Sequence, residues 1–114
     1  MNDIERALNY LRDTAKQYAI AKGQCDYLKE FRKSKKALLM VQAESEGIRA
    51  GNKQETYAYS NDEYTSFLDG LRVAIEEECR LRHLLKAAEL KIDVWRTQQS
   101  TKRTEMNNYN KNVT

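Results

Sequence analysis

Proline is absent from this 114-residue chain, and glycine occurs only four times. Sandwiches and loop-rich folds place both residues in turns and at strand edges, so the composition excludes them. Valine and isoleucine together number nine, too few to build a sheet. Two cysteines cannot form a disulfide framework, and they point to a reducing, cytoplasmic setting. One histidine leaves little material for a metal centre. No apolar run approaches the 18 or so residues that cross a membrane. The opening residues Met1 to Arg6 lack the apolar core of an export leader.

Helix formers fill the space these absences leave. Ala, Glu, Lys, Leu and Arg supply 53 of the 114 residues, close to the half share that marks long helices and coiled coils. Phe67, Leu71, Ala74, Glu78, Leu81, Leu85, Ala88, Ile92 and Trp95 alternate at spacings of four and three. That is the seam of a coiled-coil helix. Ile4, Leu8, Leu11, Ala15 and Tyr18, then Ala21, Cys25, Leu28 and Phe31, and finally Leu38, Leu39 and Val41, give the first half a less regular stripe. Asp3 is the expected cap of the first helix, and Asn61 or Asp62 that of the second. Gly47 and Gly51 supply the backbone freedom to stop a helix and reverse the chain.

The expected fold is therefore all-α. It is a long antiparallel helical hairpin, coiled-coil-like, in one domain over residues 1–106. A helix covers about 3–47, a connection about 48–60 and a second helix about 61–106, and residues 107–114 form a flexible polar tail. A break of the first arm near Gly23 would give a third helix instead. Two helices bury little area, so assembly into a homo-oligomeric bundle is expected, with Phe67, Leu71, Leu81, Leu85, Ile92 and Trp95 as core or oligomer seam.

The net charge is +3, and the excess lies in the first half. Lys29, Arg32, Lys33, Lys35 and Lys36 are candidate nucleic-acid contacts, because clustered cations neutralise phosphates and the neighbouring Phe31 can stack a base. A competing reading is internal. With the turn centred near residue 54, residue i faces about residue 108 − i in an antiparallel pair, which sets Arg32 against Glu76, Glu77 and Glu78. On a helix the run would also spread around the circumference. Tyr57, Tyr59 and Tyr64 near the turn are candidate partner contacts, since tyrosine offers a broad apolar face with a polar tip. The same register brings Cys25 within about one turn of Cys79. Both read as small buried hydrophobes, and with His83 they offer a metal at most three ligands. It also seats Trp95 near Asp13 to Ala15, or across a dimer. Phosphate-binding glycine loops, nucleophile elbows and paired-histidine zinc motifs are all missing, so no enzymatic activity, metal or cofactor is expected.

Three segments together, Phe31-Arg32-Lys33-Ser34-Lys35-Lys36-Ala37, Tyr57-Ala58-Tyr59 with Glu63-Tyr64, and Leu85-Lys86-Ala87-Ala88-Glu89 through Ile92-Asp93-Val94-Trp95-Arg96-Thr97, resemble small all-helical proteins of tailed bacteriophages and prophages. His83 departs from that pattern, which has a tryptophan there. The resemblance implies a product of an early phage region carrying recombination and single-strand annealing functions, active in the cytoplasm of a bacterial host. The expected role is a non-enzymatic accessory protein of DNA metabolism that binds nucleic acid or a recombination protein. The alternatives are a protein-binding inhibitor of a host defence system or host enzyme, and a structural or assembly coiled coil.

Overall fold

A computed structural model describes residues 1–113. It contains helix α1 over Asp3–Ser45, α2 over Gly51–Ser60 and α3 over Asp62–Val113. The fold is an all-α helical hairpin, and no strand occurs among the described residues. Gly23 does not interrupt α1. The third helix lies instead inside the connection expected at 48–60. Residues 107–113 continue α3 and form no irregular tail, and position 114 of that expected tail lies outside the described residues.

Each helix end has a chemical cause. Asn2, not Asp3, caps α1: its Oδ1 accepts the Glu5 N–H at 2.8 Å, and Glu5 Oε2 accepts the Asn2 N–H at 3.2 Å. This reciprocal pair satisfies two otherwise unpaired backbone donors. At the other end Gly47 adopts φ 94°. The Ile48 N–H then bonds the Ala43 carbonyl and the Gly47 N–H bonds the Glu44 carbonyl, both at 3.0 Å, which closes the helix on a left-handed residue. Gln54 Nε2 donates to the Ile48 carbonyl at 2.9 Å and braces the reversal. Asn61 ends α2 and starts α3. Its N–H bonds the Ala58 carbonyl, and its Oδ1 accepts the Glu63 N–H at 2.8 Å.

The chain divides into two compact units, one spanning Tyr18–Arg80 and the other combining Met1–Gln17 with α3 from Leu81 onward. In the Tyr18–Arg80 unit, α2 folds back beside the end of α1. Leu39, Ala58 and Tyr64 form its core, with Met40 packed against them. Because α2 is a helix about 15 Å long, it returns the start of α3 to the level of Lys35. The Lys35 ammonium lies 3.3 Å from Glu63, the Phe31 and Phe67 rings are 5.7 Å apart, and the Tyr18 hydroxyl donates to Glu78 at 3.2 Å. In this unit residue i of α1 therefore faces about residue 97 − i of α3; in the other unit Arg6, Ala7 and Tyr10 lie beside Ala87, Ala88 and Lys91, which gives a similar offset. The register of 108 − i is corrected by about three helical turns, because it treats the connection as a simple loop centred on residue 54. Cys25 consequently lies about two turns from the level of Cys79, not one. Cys25 is buried, Cys79 is half-buried, and both are free thiols.

In the other unit Ala7, Thr14, Leu81, Ala88 and Ile92 are buried. The α1 stripe here runs Ile4, Ala7, Leu11, Thr14. Leu8 and Ala15, expected inside, face outward. One residue of offset turns a helical side chain by about 100°, and the small Ala7 and Thr14 on the inward side let α1 approach α3 closely. Further along α1, Leu39 and Ala43 are buried, whereas Leu38 and Val41 are exposed. On α3 the expected seam is inward from Phe67 through Ile92 and packs against α1 of the same chain. Trp95 is the exception. It is 40% exposed and lies at the level of the first α1 residues, far from Asp13.

A Cβ at position 47 would project into open space, so only the backbone angle of Gly47 resists substitution. Gly47→Ala is expected to lower unfolding free energy by about 1 kcal/mol, read from urea denaturation followed by circular dichroism. Gly51→Ala, inside α2, is expected not to destabilise the fold.

Candidate functional site

The basic run sits on α1 within the Tyr18–Arg80 unit. Lys29, Arg32, Lys33 and Lys36 fall at helical offsets of zero, three, four and seven, which places them on one face. The expected spreading around the helix therefore applies only to Lys35, which turns towards Glu63 on α3. Lys36 crosses to α2. Its Nζ lies 3.3 Å from Glu55 and 4.9 Å from the centre of the Tyr59 ring. Tyr59 first, and Glu55 second, hold the Lys36 ammonium above the ordinary lysine value.

Two groups of residues selected separately from the sequence meet here. Arg32, Lys33, Lys36, Tyr59 and Tyr64 line a hollow of about 390 Å³. Tyr64 is buried and forms part of its floor, while Tyr59 is 48% exposed. Their rings meet edge to face at 5.4 Å, a favoured arrangement of the ring charge distributions. Tyr57 is not part of this hollow. It is half-buried. Burial, followed by the nearby Glu46, raises its hydroxyl above the ordinary tyrosine value. Phe31 does not stand out as a stacking platform either, because it packs between Tyr27 at 6.0 Å and Phe67.

The electrostatics separate bracing cations from available ones. Lys35 and Lys36 are engaged with Glu63 and Glu55. Lys33 lies 3.9 Å from Glu30, with both side chains more than three-quarters exposed. Such a pair contributes little and yields readily to another anion. Lys29 and Arg32 make no ion pair among the described residues, although the Lys22 hydrogen bond, with the Lys29 charge added to that of Lys22, holds the Asp26 carboxyl below its ordinary value. The acidic run does not face these cations. Glu76 pairs with Arg72 at 3.3 Å, Glu77 takes two bonds from Arg80 at 2.7 and 3.0 Å, and Glu78 accepts from Tyr18. The Arg80 bond holds the Glu77 carboxyl below its usual value.

Among the described residues no group of three His, Cys, Asp or Glu side chains is arranged to hold a metal. No helix among them is long and apolar enough to cross a membrane. The contribution of α2 is hard to read in the sequence because its inward side rests on Ala58 and the half-buried Tyr57, a weak apolar signal over ten residues. The Gly47 to Gly51 spacing, read as a helix stop followed by a helix start, is the signal that could have revealed it. No family model, curated protein or solved structure matches this chain.

Lys36 and Tyr57 link the fold to pH in the same direction. Both groups are raised in the folded state, so their contribution is present below the unfolded values and disappears as pH rises through the folded ones. The melting temperature is expected to fall as pH increases beyond about 10. Lys36→Met combined with Tyr57→Phe should flatten that fall, measured by thermal melts from about pH 8 to about pH 11.

Proposed function

We propose that the face carrying Lys29, Arg32, Lys33, Lys36 and Tyr59 binds the phosphate backbone of nucleic acid, and that the protein is a non-enzymatic accessory factor of phage DNA metabolism in the bacterial cytoplasm. The observation that carries this reading is the hollow that joins Arg32, Lys33 and Lys36 to Tyr59. Phosphate oxygens suit Arg32 because its planar guanidinium offers several donors, and Lys29 and Lys33 add flexible point charges on either side. Releasing counterions from the backbone supplies most of the affinity. The resemblance to early phage proteins adds weight to nucleic acid as the partner.

A second reading has its own support. Tyr59 stands half-exposed over a buried Tyr64, with Glu30 and Glu55 near the cations. A tyrosine anchor in a mixed-charge rim also suits a protein surface, such as a recombination protein or a host enzyme.

The two readings separate by salt dependence and by partner. Fluorescence anisotropy with labelled single- and double-stranded DNA at low salt is expected to show binding at micromolar concentrations or below. The three available cations of this face should contribute about −2 to the slope of log affinity against log salt on a single strand. Arg32→Glu with Lys33→Glu is expected to weaken binding at least tenfold while leaving the helical content unchanged. Absence of binding at tens of micromolar would remove the nucleic-acid reading. A specific protein partner that is lost on Tyr59→Ala would then establish the second.

A further inference from the structure

From Ser100 to Asn112 every residue of α3 is exposed. The register explains this, because α1 has no residues left to lie opposite that stretch. Trp95 stands at the edge of the covered region. It is the sole tryptophan of the chain. With Arg96, Thr97, Gln99, Ser100 and Arg103 it lines an open hollow of about 660 Å³.

Helical geometry arranges these groups in two adjacent rows. Trp95, Gln99 and Arg103 follow one another at intervals of four, and Arg96, Ser100 and Arg103 at intervals of four and three. One row leads with an aromatic face and an amide, and the other with guanidinium and hydroxyl groups. Arg103 makes no ion pair among the described residues. Arg96 reaches Asp93 only at 3.7 Å, with both side chains largely exposed. Both guanidinium groups are thus available to an incoming anion.

We infer that Trp95, Gln99, Ser100, Arg96 and Arg103 form a second nucleic-acid contact, and that it takes a single strand. A half-exposed indole stacks an unpaired base, which a duplex does not offer. Arg96 and Arg103 hold the flanking phosphates, and Gln99 and Ser100 supply donors and acceptors for base edges or sugar. A protein partner suits the site less well, because the uncovered end of the hollow presents cations, hydroxyls and amides around one indole and no continuous apolar stripe. The inference rests on the nucleic-acid reading above but uses a different unit of the chain and different residues.

The indole reports on the site directly. Titrating the full chain with a short oligothymidylate at low salt is expected to quench Trp95 emission, with the midpoint matching that from anisotropy. A duplex of equal length should quench it far less. Trp95→Ala should weaken single-strand binding at least fivefold and Trp95→Phe clearly less, because phenylalanine retains a stacking face. Arg103→Gln, at an exposed position, should lower the salt slope by about 0.7 without changing the melting temperature. Binding seen by anisotropy with Trp95 emission unchanged, or equal quenching by single strand and duplex, overturns this inference and leaves the earlier reading intact. No binding of either nucleic acid overturns both. Quenching that persists in the Arg32→Glu, Lys33→Glu variant supports the Trp95 site and removes the first face as its cause.

Discussion

The position at which α1 stops governs the other contacts of the Tyr18–Arg80 unit. Gly47 closes the helix in a left-handed conformation, and two backbone bonds to Ala43 and Glu44 tie off its free carbonyls. The reversal that follows is short, so α2 begins at Gly51 already turned back along α1. From there geometry leaves little choice. A ten-residue helix carries the chain back by a fixed length, and α3 starts where Lys35 can meet Glu63. Within the Tyr18–Arg80 unit, every apolar partnership between α1 and α3 inherits that offset. Had the helix stopped one residue later, each side chain of the inward stripe would have turned by about 100° relative to its partner.

Much of this architecture is legible in the sequence, and the legible parts share a property. Phe67 through Ile92 alternate so regularly that a single assignment of the inward face satisfies them all, and the structure buries or half-buries that row. In α1 the pattern is ambiguous. Ile4, Leu11 and Tyr18 fit either Ala7 and Thr14 or Leu8 and Ala15 as the intervening layers. Apolarity alone favours the second set. Close approach of the two helices selects the first, because small side chains on the inward side let the backbones pack near each other. Registration between arms was illegible for another reason. It depends on the conformation of the connection, and Ala58 with the half-buried Tyr57 gives too weak an apolar signal to distinguish a helix from a loop.

The candidate sites were partly legible in the same way. The residue types were apparent, since clustered lysines and tyrosines are visible without any structure. Their assortment was not. Lys35 and Lys36 differ by one position, yet one braces α3 and the other braces α2 and covers Tyr59. Phe31 and Tyr59 are both aromatics near the basic run, yet Phe31 is taken up by packing and Tyr59 is left accessible. Trp95 continues the seam in number but is left 40% exposed, because it lies level with the very start of α1. Periodicity identifies which side of a helix a residue lies on. What stands opposite is decided by the length of the neighbouring element.

Asn61 is the single residue between α2 and α3, and its own atoms serve both helices. Most adjoining helices have separate ends that fray independently. Here the last turn of α2 and the first turn of α3 share one anchoring point, and Ala58 and Tyr64 on either side of it enter the same core. Opening either end removes support from the other. The backbone amides flanking Asn61 are therefore expected to open as one cooperative unit, with hydrogen exchange on both sides of the junction following a common free energy and no graded loss from a loose helix tip.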